Sequence, residues 1–304
     1  MDAAHGTPDA RRSALAGYLH EPGGPGKRKG SILSEPGEER GDARPSAAAG
    51  SAPASAAEDL AASFGYRKVD PQAKATMVRA VFDSVAERYD LMNDLMSGGI
   101  HRLWKAALID WLAPRPGRHY LDVAGGTGDI AMRILDRQPR VGRVTLVDIN
   151  YQMLRVGREK AINKGRLANL DWVTGDAMAL PLRDNTVDAY TIAFGMRNVT
   201  HIDRALAEAH RVLRPGGRFL CLEFSRVFLP VLDRLYDRYS FSVLPMLGRL
   251  VAQDAESYRY LAESIRRFPD QSTYLGLVQA AGFRNVTYRN VSGGIAAIHS
   301  GWKI

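Results

Sequence analysis

Strand-like and helix-like stretches alternate from His119 to Glu223, and the first junction between them is rich in glycine. This pattern limits the possible folds more than any other feature. His119–Ala124 reads as a short apolar strand, followed by a glycine turn and a helix over 129–138. Arg143–Asp148 is a second strand with a helix over 151–164, and Leu170–Thr174 is a third strand. Val187–Phe194 is a fourth strand, followed by a helix at Arg204–Leu213. Pro215-Gly216-Gly217 then turns into a fifth strand, Arg218–Glu223. Such alternation with short turns requires a parallel sheet with helices on both faces. After a helix over 271–281, two further strands at about 285–291 and 295–303 flank Ser292-Gly293-Gly294 and read as an antiparallel hairpin. The expected fold is α/β: a doubly wound, Rossmann-like, seven-stranded sheet that ends in this hairpin.

The alternation is preceded by two amphipathic stretches and a tail. Val78, Val81, Phe82, Val85 and Tyr89 fall at helical spacing, as do Ile100, Leu103, Trp104, Ala107, Leu108 and Trp111. Residues 1–62 differ in composition: 15 Ala, 9 Gly and 6 Pro, with Tyr18 the only aromatic residue. A segment so poor in large apolar groups cannot offset the cost of ordering its backbone, so 1–62 is expected to be disordered. It lacks the apolar stretch of a secretory signal, and its 7 basic and 9 acidic residues do not suit a transit peptide. The domain is expected over 63–304, with an insertion at about 225–270. Without the tail the chain carries 34 basic and 24 acidic residues. That balance suits nucleic acid, an anionic membrane surface or an anionic ligand. No apolar run reaches the ~18 residues of a membrane span. A single cysteine, Cys221, excludes an internal disulfide and a cysteine-based zinc site. The seven histidines form no ligand cluster, so no metal is expected.

The stretch Leu121-Asp122-Val123-Ala124-Gly125-Gly126-Thr127-Gly128-Asp129 ends a strand and opens a helix. Gly125, Gly126 and Gly128 allow a ligand to approach the backbone, and the free N–H groups of the helix start face an anion. Asp148, 20 residues beyond Gly128, ends the next strand, where a carboxylate can accept from both hydroxyls of a ribose. Gly175-Asp176-Ala177 follows the third strand and can clamp an adenine edge. The glycine spacing is not G-x-G-x-x-G, and there is one nucleotide-binding half rather than two. Both points favour S-adenosyl-L-methionine (SAM) over a dinucleotide.

Four ordered motifs carry a resemblance. The segment from Phe82-Asp83-Ser84-Val85-Ala86 through Arg88-Tyr89-Asp90 to Met92-Asn93-Asp94 resembles the N-terminal signature of the ubiquinone/menaquinone biosynthesis C-methyltransferases. Ala124–Asp129 resembles their SAM loop, with Ala124 where most methyltransferases have glycine. Phe194-Gly195-Met196-Arg197-Asn198-Val199 resembles their motif after strand four, and Arg211–Gly217 their entry into strand five. The match spans about 64–304. It implies the SAM-dependent methyltransferase sheet and methylation of a ring carbon of a polyprenylated benzoquinol or demethylmenaquinol. It also implies SAM contacts at Thr127, Asp148, Asp176 and Ala177. Ala193 stands where the family often has serine, so a hydroxyl contact is lost there.

A hydroquinone carbon is a poor nucleophile until a ring hydroxyl loses its proton. The site must therefore align the ring, stabilise the phenolate and remove the ring proton. Arg197 and Asn198 follow strand four at the carboxyl edge of the sheet, where ligands bind. Arg197 is expected to stabilise the phenolate or orient a water, Asn198 to hold a ring oxygen, and Tyr89 to position the ring. Asp94 and His101 are alternative bases. The insertion, with Phe228, Leu229, Tyr236 and Phe241 among Arg226, Arg234, Arg238 and Arg249, is expected either to cover the prenyl chain near lipid headgroups or to pack on the sheet or a second subunit. The expected location is cytoplasmic, with a peripheral contact on the inner face of the membrane. A homo-oligomer or a quinone-biosynthesis complex is a further expectation; nucleic acid is not. Two other readings remain open: a SAM methyltransferase acting on a small phenol or RNA, and a non-catalytic scaffold with this fold.

Overall fold

The computed structural model describes residues 53–166, 168–227 and 255–304. Seven strands form the central sheet: β1 (His119–Val123), β2 (Arg143–Asp148), β3 (Leu170–Thr174), β4 (Val187–Ala193), β5 (Leu213–Phe224), β6 (Arg284–Val291) and β7 (Ala296–Trp302). Their order is β3-β2-β1-β4-β5-β7-β6. The first five strands are mutually parallel, and β7 runs antiparallel to both β5 and β6. One reversed strand thus sits between two that point the other way. The chain returns through the turn Ser292–Gly294, as the hairpin reading expected. Strand β5 begins earlier than expected. Leu213 already pairs with Val187, and the register shifts before Arg218 pairs with Ala189, so Pro215-Gly216-Gly217 lies within an irregularity of the strand.

Nine helices accompany the sheet among the described residues: α1 (Pro53–Ala61), α2 (Pro71–Val85), α3 (Tyr89–Ser97), α4 (His101–Leu112), α5 (Asp129–Arg137), α6 (Tyr151–Asn163), α7 (Ile202–Val212), α8 (Ala255–Arg267) and α9 (Gln271–Ala280). Side chains on β5 alternate between two cores. Leu220, Leu222 and Phe224 pack with α4, α5 and α8, while Phe219 and Cys221 pack with α7, α9 and α1. Burial on both faces explains why the strand reads as a continuous apolar run.

The boundary of the tail needs correction. Pro53–Ala61, placed in the disordered segment by composition, is helical, and Leu60 and Ala61 are buried. Its packing depends on a cation remote in sequence. Lys74 of α2 is buried and its ammonium donates to the carbonyls of Leu60 (2.7 Å) and Val199 (3.2 Å). Burial, reinforced by Arg267, pulls its pKa down to about 8. Residues 1–52 and 228–254, and with the latter most of the insertion and its Arg234, Arg238 and Arg249, lie outside the described residues.

The residues from Val78 to Tyr89, though at helical spacing, do not share one helix. Helix α2, capped by Asp70 accepting from the Gln72 amide, ends at Val85, a 3₁₀ turn spans Ala86–Arg88, and α3 starts at Tyr89. The break redirects Tyr89, which lies beside Phe82 with ring centroids 6.0 Å apart.

Candidate functional site

A cleft opens at the carboxyl ends of the parallel strands. It lies where the strand order reverses between β1 and β4, the usual ligand position in open α/β sheets. Ala124 and Gly126 after β1, Asp148 and Asn150 at the end of β2, Asp176 and Ala177 after β3, and Phe194 and Asn198 after β4 all line it. Helix α2 covers it with Val78, Arg79 and Phe82, and Tyr89 enters from the start of α3.

Asp148 is buried, and its two oxygens accept from the backbone amides of Gly126 and Asn150, each at 2.8 Å. One bond per oxygen leaves further lone pairs for ligand hydroxyls. Burial raises its carboxyl to about 6 despite these two bonds. Asn150 caps α6 by accepting from the Met153 amide, and its own amide donates to Asp83 of α2 at 2.9 Å. The cleft floor is thereby fastened to its cover. Asp176 accepts from the Met178 amide at 2.8 Å, which fixes the turn that presents Ala177.

The glycine loop is shaped from below. Gly128 has φ +82° at the start of α5, and a Cβ there would lie 2.7 Å from the Trp172 ring. A Cβ on Gly125 would lie 2.5 Å from Leu146. Gly125 and Gly128 therefore serve the packing of the loop and do not line the cleft, whereas Gly126 does. Thr127 is buried and its hydroxyl donates to Asp90 at 3.4 Å. Ala193 ends β4 against the core and does not line the cleft. Beneath the loop, Asp122 is wholly buried. One oxygen accepts from Thr191 at 2.9 Å and the other has no partner among the described residues. Burial lifts its carboxyl to about 7. A nucleoside cofactor fits this set: a ribose-facing carboxylate with spare lone pairs, an acidic turn on the adenine side, and a backbone cradle without side chains.

Arg197 departs most from its expected place. It is 3% exposed. Its Nη1 lies 3.1 and 3.3 Å from the two Glu223 oxygens and donates to the Phe194 carbonyl at 2.5 Å, while its backbone amide donates to Glu223 at 3.1 Å. Direct contact with a phenolate is replaced by a buried ion pair, because Glu223 on neighbouring β5 lies directly beneath the turn after β4. Burial pushes the Glu223 carboxyl up, and Arg197 opposes that rise. Phe194, at φ +58°, adopts a conformation rare for a bulky residue; such strain concentrates at functional sites.

Asn198 and Tyr89 do reach the cleft. Neither alternative base does. Asp94 is held by Arg102 at 2.6 and 3.0 Å, and His101 is buried against Ser97 at 2.8 Å. Burial, together with the neighbouring Lys105, pushes the His101 imidazole down to about 4. No group of three His, Cys, Asp or Glu among the described residues could hold a metal ion. Sequence reading missed the α2 cover, Asn150 and Glu223. The spacing of Val78 and Phe82 marked a helix, but nothing in it marked a cover.

The sequence profile of the ubiE/COQ5 methyltransferase family matches residues 70–303. The chain is 59% identical over 244 residues to a Brucella abortus protein named ubiquinone/menaquinone biosynthesis C-methyltransferase UbiE, covering 80% of this chain and 91% of that one. It is 60% identical over 241 residues to the protein of the same name from Paracoccus denitrificans, covering 79% and 96%. Among solved structures, a SAM-dependent methyltransferase of Thermotoga maritima, described as a possible histamine N-methyltransferase, aligns with a TM-score of 0.53 at 18% identity over 75% of this chain and all of that one. The [4+2]-cyclase SpnF aligns with a TM-score of 0.54 at 18% identity over 74% and 94%. These two likenesses concern the fold, which hosts different chemistries.

Proposed function

The chain belongs to the ubiE/COQ5 methyltransferase family, and from that premise we propose that it methylates a ring carbon of a polyprenylated quinol in ubiquinone or menaquinone biosynthesis, with SAM as methyl donor. One observation carries the reading at the level of the site: Asp148, Asp176 and Ala177 line the same cleft as Tyr89 and Asn198. A nucleoside held by the first group leaves its reactive end facing the second.

When bound, SAM supplies an electrophilic methyl group on a sulfonium. The protein's part is binding, alignment and charge. Asp148 accepts from the ribose hydroxyls, and Asp176 with Ala177 holds the adenine edge. Val78 and Phe82 of α2 exclude water from above, and Tyr89 sets the plane of the quinol ring. Asn198 holds the ring oxygen whose ionisation makes the neighbouring carbon nucleophilic. Arg197, neutralised by Glu223, shapes the turn that presents Asn198. Neither Asn198 nor Tyr89 would take the ring proton, which would pass to a water in the cleft.

A prenylated substrate also implies a lipid surface. No helix among the described residues is long and apolar enough to cross a membrane. Leu91 in the first turn of α3, and Ile100 and Leu103 at the start of α4, are exposed, the last at 70%. We include in the proposal a peripheral contact on the cytoplasmic face; co-flotation with anionic vesicles tests it.

The reaction is tested by incubating the protein with methyl-labelled SAM and a short-chain demethylated quinol kept reduced, then locating the label by mass spectrometry. Label on a ring carbon is expected. SAM binding without ring methylation would overturn the acceptor assignment.

A further inference from the structure

Tyr260 lies on α8, 62 residues from Asn198, yet its hydroxyl is 2.9 Å from Asn198 Oδ1. The Asn198 Nδ2 lies 3.5 Å from the Phe194 carbonyl. A carbonyl only accepts, so this contact orients the amide: Nδ2 on the Phe194 side, Oδ1 towards Tyr260. Tyr260 is buried, and its ring stacks on Phe64 with centroids 4.1 Å apart. Its hydroxyl cannot turn to solvent, and Oδ1 is the partner it has. The Phe194 carbonyl is already taken by Arg197 Nη1 at 2.5 Å, which leaves it a weak acceptor for Asn198. Tyr260 thus engages one lone pair of the amide oxygen and turns that oxygen towards α8, while N–H capacity remains to be used in the cleft that Asn198 lines.

We infer that Tyr260 is a positioning residue that fixes the polarity of Asn198, so that Asn198 meets the acceptor as a hydrogen-bond donor, the polarity an ionised ring oxygen requires. Arg197 and Glu223 hold the turn from the other side. The inference rests on the quinol-methylation reading for its substrate, but the amide's orientation stands apart from it.

Three variants test it. Tyr260→Phe removes one oxygen and keeps the ring on Phe64. We expect turnover to fall about 10- to 100-fold, in line with the loss of a positioned group, with the SAM dissociation constant unchanged within about twofold, the precision of such a titration. The Asn198→Ala/Tyr260→Phe double variant should be no slower than Asn198→Ala alone, because Tyr260 acts through Asn198. Asn198→Asp is isosteric and can still accept from Tyr260, but as a carboxylate it offers the cleft no donor. It should lose as much turnover as Asn198→Ala.

A readout that needs no turnover is the absorbance of 4-nitrophenol at fixed pH. The wild type should enrich its ionised form on binding, and Asn198→Asp and Tyr260→Phe should not. Wild-type turnover in Tyr260→Phe, multiplying losses in the double variant, or retained activity in Asn198→Asp would each overturn the inference. If the wild type fails to methylate the quinol, the acceptor reading falls, and the nitrophenol titration still decides the polarity of Asn198.

Discussion

Asp148 joins burial to ligand binding, and the two pull its proton in opposite directions. Burial raises the carboxyl to about 6, above its value in an unfolded chain. This group's contribution to the stability of the ligand-free fold therefore falls as pH climbs from about 4 to about 6. In the proposed function ribose hydroxyls donate to the ionised form, so cofactor binding would require the proton to leave. SAM affinity should be flat above pH 7 and weaken by up to about tenfold per unit below pH 6, the slope of one linked proton. Calorimetric titration at pH 5, 6 and 7.5 checks this. Asp148→Asn should bind weakly at every pH and lose the slope; a slope that survives in this variant would shift the effect to Asp122. Arg197 calls for a different experiment. Arg197→Ala leaves Glu223 buried and uncompensated, which costs about 3–5 kcal/mol. Its melting temperature should fall together with its turnover, and Arg197→Met with Glu223→Leu should recover most of the stability, since such pairs exchange for apolar groups near neutrally. Unchanged melting of Arg197→Ala would disprove the buried pair. Asp148 and Asp176 could be read from sequence because each sits where a strand ends, at a fixed distance from the glycine loop. The partner of Arg197 could not. Glu223 lies 26 residues away on the adjacent strand, and only the register of β4 on β5 brings the two together.

Helix α6 shows two element-scale effects in opposition. Gly157 sits in its interior, where replacing glycine with alanine ordinarily stabilises a helix by about 1 kcal/mol. Here a Cβ would lie 2.8 Å from the Thr127 backbone and 2.6 Å from the Trp172 ring. The helix packs on the back of the glycine loop at that point, and backbone cannot move aside without moving the loop. Overpacking of this kind costs about 1–3 kcal/mol, so the clash outweighs the propensity. Gly157→Ala should melt lower than the wild type and raise the KM for SAM; a higher melting temperature with unchanged KM would mean that the loop yields freely. Period and turn residues made most elements legible, with ends within a few residues. They did not reveal the break after Val85, because Val85 and Tyr89 keep helical spacing across it. That break gives α2 and α3 separate tasks, one covering the cleft and the other delivering Tyr89 into it.

At the scale of the molecule, the start of the folded body was the misread feature. Pro53–Ala61 has no aromatic residue and only Leu60 as a large apolar side chain, so its composition resembles the preceding tail. Its structural value is tertiary. Leu60 is buried against the α7–α9 face, and its carbonyl is one of the two acceptors of the buried Lys74 ammonium. A chain beginning at residue 53 and one beginning at residue 63 should therefore differ sharply, although composition predicts no difference. Losing Leu60 removes about 1.5–3 kcal/mol of apolar burial, and an ammonium left short of an acceptor adds about 1–3 kcal/mol. The shorter chain should melt roughly 10 °C lower, at about 2–4 °C per kcal/mol for a domain of this size. The loss should reach the cleft as well, because the other Lys74 acceptor, Val199, lines it, as do Val78 and Arg79 on the same helix as Lys74. A Lys74 freed from α1 loosens the cover and the acceptor turn together, so the KM for SAM should rise in the shorter chain. Lys74→Met in the longer chain provides the control: it removes the charge that α1 solvates, and deleting α1 from that variant should cost only the burial of Leu60. If the two deletions cost the same with and without the lysine, the link between the first helix and the active cleft does not run through Lys74.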